Sequence, residues 1–199
     1  MIVIEKSAQF NIKEPTAVTL GNFDGVHLGH QKLVQTVLEY AKVYGLKSVV
    51  FSFEPHPREF FEGEDKFKTM FSIEEKKFII ENLGVDMLVQ YPFDKSFSSL
   101  SPKEFMDLLV EKTNCKVLVV GENYYFGKDK AGNIDTLKAL GEEKGVKVIG
   151  IPRVKIHDVR VSSTRIRGLI ESGEMEIVTK LLNKPYFVIG EIVHGDERG

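Results

Sequence analysis

Thr19 to Gln31 reads TLGNFDGVHLGHQ, and it sets two histidines, His27 and His30, in an H-x-G-H spacing around Gly29. An apolar run precedes them and a helical pattern follows, so they fall where a strand turns into a helix. A helix N-terminus offers free amide groups and the positive end of a dipole, and so attracts phosphates. Gly29 leaves the backbone bare for close approach by a phosphate. Imidazoles at that point can donate hydrogen bonds to charge developing on phosphorus. Removing one such donor costs about 100- to 1,000-fold in rate. A second constellation lies far along the chain. VSSTRIR places Ser162, Ser163 and Thr164 at another helix start, followed by Arg165 and Arg167. Hydroxyls, amides and guanidinium groups together suit a triphosphate.

Plainer roles fit the same residues. Two histidines at a helix start can be caps or packed side chains, and S-S-T-x-x-R can be a capped surface helix. Zinc on His27, His30 and His56 lacks the cysteine or acidic cluster that would complete the set. Asp24 before Gly25 is a common turn signal, and a structural role is favoured over metal binding there. The G-x-G-x-x-G fingerprint and the G-x-x-x-x-G-K-[ST] loop are both absent. Gly121 and Gly127-Lys128 approach the second, but the spacing is off by one and Asp129 follows.

The elements that position these residues alternate. AVTLG, KSVVFSF, DMLVQY, KVLVVG and VKVIGI read as strands. Helical patterns separate them: one stops at Gly45, one opens with a Ser72–Glu75 capping box, and one has Ser101, Pro102 and Glu104 at its start. NIDTLKALGEEKG supplies another. Such alternation implies an α/β fold, a parallel sheet with helices on both faces. Ligands of such sheets bind at the carboxyl ends of the strands, and the loops GNFDGVHLGH, SFEPHPREFF and GENYYFGKDKAGN all fall there. Two further helices broken at Gly173 precede Pro185, where a domain boundary is placed.

The 199 residues suffice for one sizeable domain, and 42% hydrophobic content fills its core. A net charge of -2 gives no basic excess for nucleic acid. No apolar run is long enough to span a bilayer, and MIVIEKSAQF does not read as a signal peptide. The single cysteine, Cys115, forms no internal disulfide, reads as a buried thiol, and suits a cytoplasmic setting.

H-x-G-H with a later S-S-T-x-x-R resembles the nucleotidyltransferases. Within them, the chain resembles the bacterial riboflavin kinase/FMN adenylyltransferase family. GNFDGVHLGH, FSFEPHPREF, GENYYFGKDKAGN, VSSTRIRGLIESGE and LLNKPYFVIGEIVHGDERG all carry the resemblance. Tyr124 stands where that family usually has phenylalanine, and Asn183-Lys184 where it usually has Gly-Arg. The resemblance implies a Rossmann-like nucleotidyltransferase fold, with residues 1–184 as an adenylyltransferase domain. Residues 185–199 would open the kinase barrel, whose body is absent. It implies FMN plus ATP giving FAD and pyrophosphate, with Mg2+ accompanying ATP. His27, His30 and Arg167 would be catalytic. Gly21, Asn22, Phe23, Gly29, Ser162, Ser163, Thr164 and Arg167 would bind ATP. For the flavin, aromatic and apolar walls are wanted, and Phe53, His56, Pro57, Asn123, Tyr124 and Phe126 are the candidates. Phe53 and Phe126 are equally well read as core residues. The metal ligands and the oligomeric state stay unassigned. Two alternatives remain: an adenylyltransferase for another phosphorylated cofactor precursor, and a flavin- or nucleotide-binding module without turnover.

Overall fold

The structure is a computed structural model that describes residues 1–156 and 159–192. Six strands form one sheet: β1 (Ile2–Glu5), β2 (Thr16–Leu20), β3 (Lys47–Glu54), β4 (Met87–Pro92), β5 (Cys115–Gly121) and β6 (Lys147–Ile151). Their order across the sheet is β1-β4-β3-β2-β5-β6, and every pairing is parallel. The chain thus steps from β2 through β3 to β4 on one side, then returns to the other side of β2 for β5 and β6. The reversal lies between β2 and β5, and a crevice opens at the strand ends beside such a reversal.

Alternation along the central strands assigns the helices to two faces. Val18 and Leu20 of β2 point to one face with Phe51, Leu118 and Val120. There they meet Phe105, Met106 and Leu109 of a helix at Pro102–Thr113 and Leu137 of another at Ile134–Lys144. Ala17 points to the opposite face, against Leu33, Val37 and Ala41 of α1 (Leu28–Tyr44). Val50 and Leu88 meet Ile79 and Ile80 of α3 (Ile73–Asn82) on that side. The remaining helices are α2 (Pro57–Glu62), α4 (Lys95–Ser98), α7 (Ser163–Glu171) and α8 (Met175–Leu182), so the two helices already placed are α5 and α6. A short hairpin, β7 (Lys155–Ile156) with β8 (Val159–Arg160), precedes α7.

The boundaries follow the local chemistry. Gly45 closes α1 in the left-handed conformation that glycine adopts without strain. Ser72–Glu75 and Ser101–Glu104 both form reciprocal capping boxes. Cys115 is buried and its thiol is pushed up to about 12 by desolvation, as a structural thiol should be. Over 185–192, where the resemblance implies the opening of a barrel, no strand is formed; residues 193–199 lie outside the described residues. Tyr186 and Phe187 instead pack on Phe71, with ring centroids 5.2 Å and 5.3 Å away. Apolar burial against Phe71 holds this segment in place of a strand ladder.

Candidate active site

The turn from β2 to α1 is conformationally expensive. Phe23, Gly25 and Val26 all take positive φ, at 52°, 82° and 42°. For phenylalanine, and more so for β-branched valine, such conformations cost on the order of 1–3 kcal/mol each. They persist because neighbouring groups hold the turn. The Phe23 carbonyl accepts from Val26 N–H at 3.3 Å, and the Asp24 carbonyl from Ser163 Oγ at 3.0 Å. The Asp24 carboxylate accepts from Met70 N–H at 2.8 Å through Oδ1 and pairs with Arg167 through Oδ2. Burial pushes the pKa of Asp24 up, against the pull of the Met70 amide and the Arg167 charge. Both Asp24 carboxylate oxygens are thus engaged within the fold.

His27 caps α1. Its Nδ1 accepts from the His30 backbone N–H at 3.3 Å. An accepting Nδ1 is unprotonated, so the neutral ring carries its proton on Nε2. The His27 ring stacks on His30 with centroids 3.9 Å apart and planes 6° apart. Burial lowers the pKa of His27 to about 4. His30 is held well below its ordinary value by burial first, then by His27 and Lys184. Both rings are therefore neutral at pH 7. A Cβ on Gly29 would lie 3.0 Å from His27 Cε1 and 3.2 Å from its Nδ1. Gly29 thus makes room for the His27 ring as well as bordering the cleft.

These residues open onto a cleft of ≈ 1010 Å³ at the carboxyl ends of the strands. Gly21, Asn22, Gly29, His27 and His30 line it from the β2 turn. Ser162, Ser163, Thr164 and Arg167 line it from the start of α7, and Phe53, His56, Pro57, Asn123, Tyr124 and Phe126 from the loops after β3 and β5. The two helix starts, α1 and α7, thus border one space. Ser162 caps α7 by accepting from Arg165 N–H at 3.4 Å. Arg167 donates through Nε to Lys68 O at 3.2 Å and pairs with Asp24. A guanidinium has five N–H donors, so others remain for a ligand.

Phe23, expected in the ATP-binding loop, shapes that loop from beneath: it is fully buried and does not line the cleft. Its positive φ turns the ring inward, where it supports His30 at 5.1 Å. Phe53 and Phe126 are both core and wall: each is 5% exposed, packed in the main aromatic core, and faces the cleft. His56 lines the cleft at the start of α2 and is buried there. It caps α2 by accepting from Arg58 N–H at 3.1 Å and stacks on Phe67 at 4.5 Å. Burial brings its pKa to about 4.

Sequence reasoning missed Phe67. Its ring gathers His56, the Arg58 guanidinium at 4.6 Å and the Arg167 guanidinium at 4.5 Å. Nothing in GEDKFKTM marks it, because the contact is made by segments distant in sequence. The charge of the lining was also missed. Arg58, Lys128, Lys130, Arg153, Arg160 and Arg167 face Asp24, Glu62 and Asp129. A chain of net charge -2 therefore concentrates positive charge where a polyanion would enter. Among the described residues, no group of three or more His, Cys, Asp and Glu side chains could hold a metal ion. No helix among them is long and apolar enough to cross a membrane.

A parallel sheet with its reversal between β2 and β5, and two helix starts facing one cationic cleft at the strand ends, define a Rossmann-like α/β domain with a candidate polyanion site. The solved structure of a pantoate–β-alanine ligase from Francisella tularensis shares this fold, with a TM-score of 0.56 at 15% identity over 92% of this chain and 85% of that one. A profile of the FAD synthetase family matches residues 9–165. The chain belongs to the FAD synthetase family. It is 36% identical over 190 residues to a bifunctional riboflavin kinase/FMN adenylyltransferase of Buchnera aphidicola (subsp. Schizaphis graminum), covering 94% of this chain and 61% of that protein. The relative of the same description from Bacillus subtilis is 36% identical over 94% of this chain and 60% of its own length. The chain thus spans about three fifths of these relatives. A solved structure described as a macrolide-efflux protein from Streptococcus pneumoniae superposes with a TM-score of 0.89 at 32% identity, over all of this chain and 66% of that one.

Proposed function

We propose that this chain is an FMN adenylyltransferase that converts FMN and ATP to FAD and pyrophosphate. Family membership supports the reaction class. The observation that carries the reading is the facing of two helix starts, α1 with its paired histidines and α7 with its hydroxyls and Arg167, across a cleft with aromatic walls.

An FMN phosphate oxygen attacks the α-phosphorus of ATP. The new P–O bond forms as the bond between the α-phosphorus and the bridging oxygen breaks, and pyrophosphate leaves with that electron pair. The nucleophile is already anionic at neutral pH, so no general base is required. Catalysis is positioning and stabilisation of charge. His27, protonated on Nε2, donates to the α-phosphate, and His30 stacks beside it as a second donor. Ser162, Ser163, Thr164 and the free N–H groups of Arg167 hold the β- and γ-phosphates. The isoalloxazine ring lies among Phe53, His56, Pro57, Asn123, Tyr124 and Phe126, where apolar walls and a few polar edges suit a large flat heterocycle. Mg2+ would accompany ATP as part of the substrate and would neutralise phosphate charge there. Both carboxylate oxygens of Asp24 are already engaged, which fits a metal carried by the substrate. We assign residues 1–184 to this domain, residues 185–199 to the start of a second, and the reaction to the cytoplasm.

The test is formation of FAD and pyrophosphate from ATP, Mg2+ and FMN, with riboflavin as a parallel substrate. FAD from FMN and none from riboflavin supports the reading. FMN bound without pyrophosphate release overturns it in favour of a binding module.

A further inference from the structure

The backbone of the histidine turn is held by a segment from the other end of the described chain. Four consecutive carbonyls, from Phe23 to Val26, all accept hydrogen bonds, and only the first bond comes from within the turn. Ser163 takes the carbonyl of Asp24. Lys184 takes the next two: its Nζ lies 3.2 Å from Gly25 O and 3.3 Å from Val26 O, and it also reaches Leu182 O at 3.4 Å. An ammonium has three hydrogens, and these three carbonyls can use them all. Gln31 reinforces the same junction by donating from Nε2 to Val26 O at 2.9 Å and Leu182 O at 2.7 Å. Two residues beyond Lys184, the Tyr186 hydroxyl donates to Met70 O at 2.9 Å, and the Met70 amide in turn holds Asp24.

Val26 and Phe23 sit at positive φ, and such backbone persists only where surrounding groups over-determine it. Gly25 is confined too, since a Cβ there would lie 2.6 Å from Met70 Cε. The ammonium therefore anchors the carbonyls immediately before His27. Lys184 does not line the cleft. Its influence on a substrate must pass through the turn.

We propose that Lys184, with Tyr186 behind it, is a positioning residue for adenylyl transfer: the strap that leaves α8 locks the strained Asp24–Val26 turn and so aims the His27–His30 pair. This deepens and rests on the adenylyltransferase reading. It also ties the site to whatever follows the strap, since a pull on residues 184–186 is a pull on the turn.

The experiment compares wild type, Lys184→Met, Lys184→Arg and Tyr186→Phe in FAD formation, with thermal melting of each. Lys184→Met keeps the stem and removes the donors. Misplacement of a catalytic group by about 1 Å can cost 100-fold. The expected result for Lys184→Met is a 10- to 100-fold fall in kcat with KM for ATP and FMN within about threefold, in protein still folded at the assay temperature. Lys184→Arg, which can donate to the same carbonyls, should recover kcat to within about fivefold of wild type. Tyr186→Phe, a milder change, should lower kcat by about two- to fivefold and provides a second reading if Lys184→Met unfolds. Unchanged kcat in folded Lys184→Met overturns the proposal, as does equal loss in the Arg and Met variants. If Lys184→Met does not fold, an unchanged kcat in Tyr186→Phe overturns it. A wild-type chain that makes no FAD overturns the adenylyltransferase reading itself, which keeps the two failures distinct.

Discussion

In the proposed reaction His27 has two separable jobs, and two substitutions divide them. Its Nδ1 caps α1 through the His30 amide, and under that proposal its Nε2–H meets the α-phosphate. Asparagine is a strong N-cap whose side-chain oxygen can take over the first job, but it does not restore the imidazole donor. Alanine supplies neither. Both variants lose the ring that stacks on His30 at 3.9 Å, so their difference isolates the cap. That difference should be about 1 kcal/mol in favour of His27→Asn. In a domain of this size it separates the two melting temperatures by about 2–4 °C. Catalysis should not follow stability. Loss of one preorganised donor is worth about 2.7–4 kcal/mol of barrier, so both variants should lose about 100- to 1,000-fold in kcat. The assays are pyrophosphate release at saturating ATP and FMN, and thermal melting of the free protein. Near wild-type kcat in His27→Asn would refute the donor role. Equal melting temperatures would refute the cap.

Other consequences follow from burial. The depressed pKa of His27 means that the unfolded chain binds a proton near pH 6.5 while the folded one resists until about pH 4. Stability therefore falls as pH drops through that window, by about 3 kcal/mol in all for His27 and by about 2 kcal/mol of it between pH 7.5 and 5; urea unfolding at those two pH values measures the second figure, and no decline would refute the burial argument. An anionic triphosphate beside His27 and His30 favours their charged forms, so ATP binding at pH 6 should take up protons. Calorimetry in buffers of different ionisation enthalpy reads this directly, and zero uptake would place the phosphates elsewhere. Cys115, buried with its thiol pushed up to about 12, should resist a thiol reagent in the native protein and react fully in denaturant.

Much of the fold is legible without coordinates, because it depends on local rules. Gly45 ends α1, Ser72 and Ser101 start their helices, and the β3 and β5 runs are apolar enough to be central strands. Shorter elements were less legible. The strand Ile2–Glu5 lies at the sheet edge, and α2 and α4 span only Pro57–Glu62 and Lys95–Ser98. A four-residue strand and helices of four to six residues are too short to impose a period on the sequence. The candidate site divides the same way. H-x-G-H and S-S-T-x-x-R mark themselves by residue type and by position at helix starts. Phe67, Lys184 and Gln31 do not, since each is an ordinary residue made important by what lies against it.

The alternation of strands and helices, the two helix starts that border the cleft, and a family whose motifs sit in the connecting loops are all legible in the sequence alone. These depend on capping, periodicity and backbone freedom, all set within a few residues. Only the tertiary structure decided that Phe23 supports His30 from within the core while Asn22 faces the cleft. It also decided that Asp24 braces Arg167, that His56 is buried against Phe67, and that Lys184 grips the turn before His27. Those outcomes depend on which distant segments the sheet brings together. Desolvation and hydrogen bonding then set each group's charge and orientation, and no local pattern encodes them.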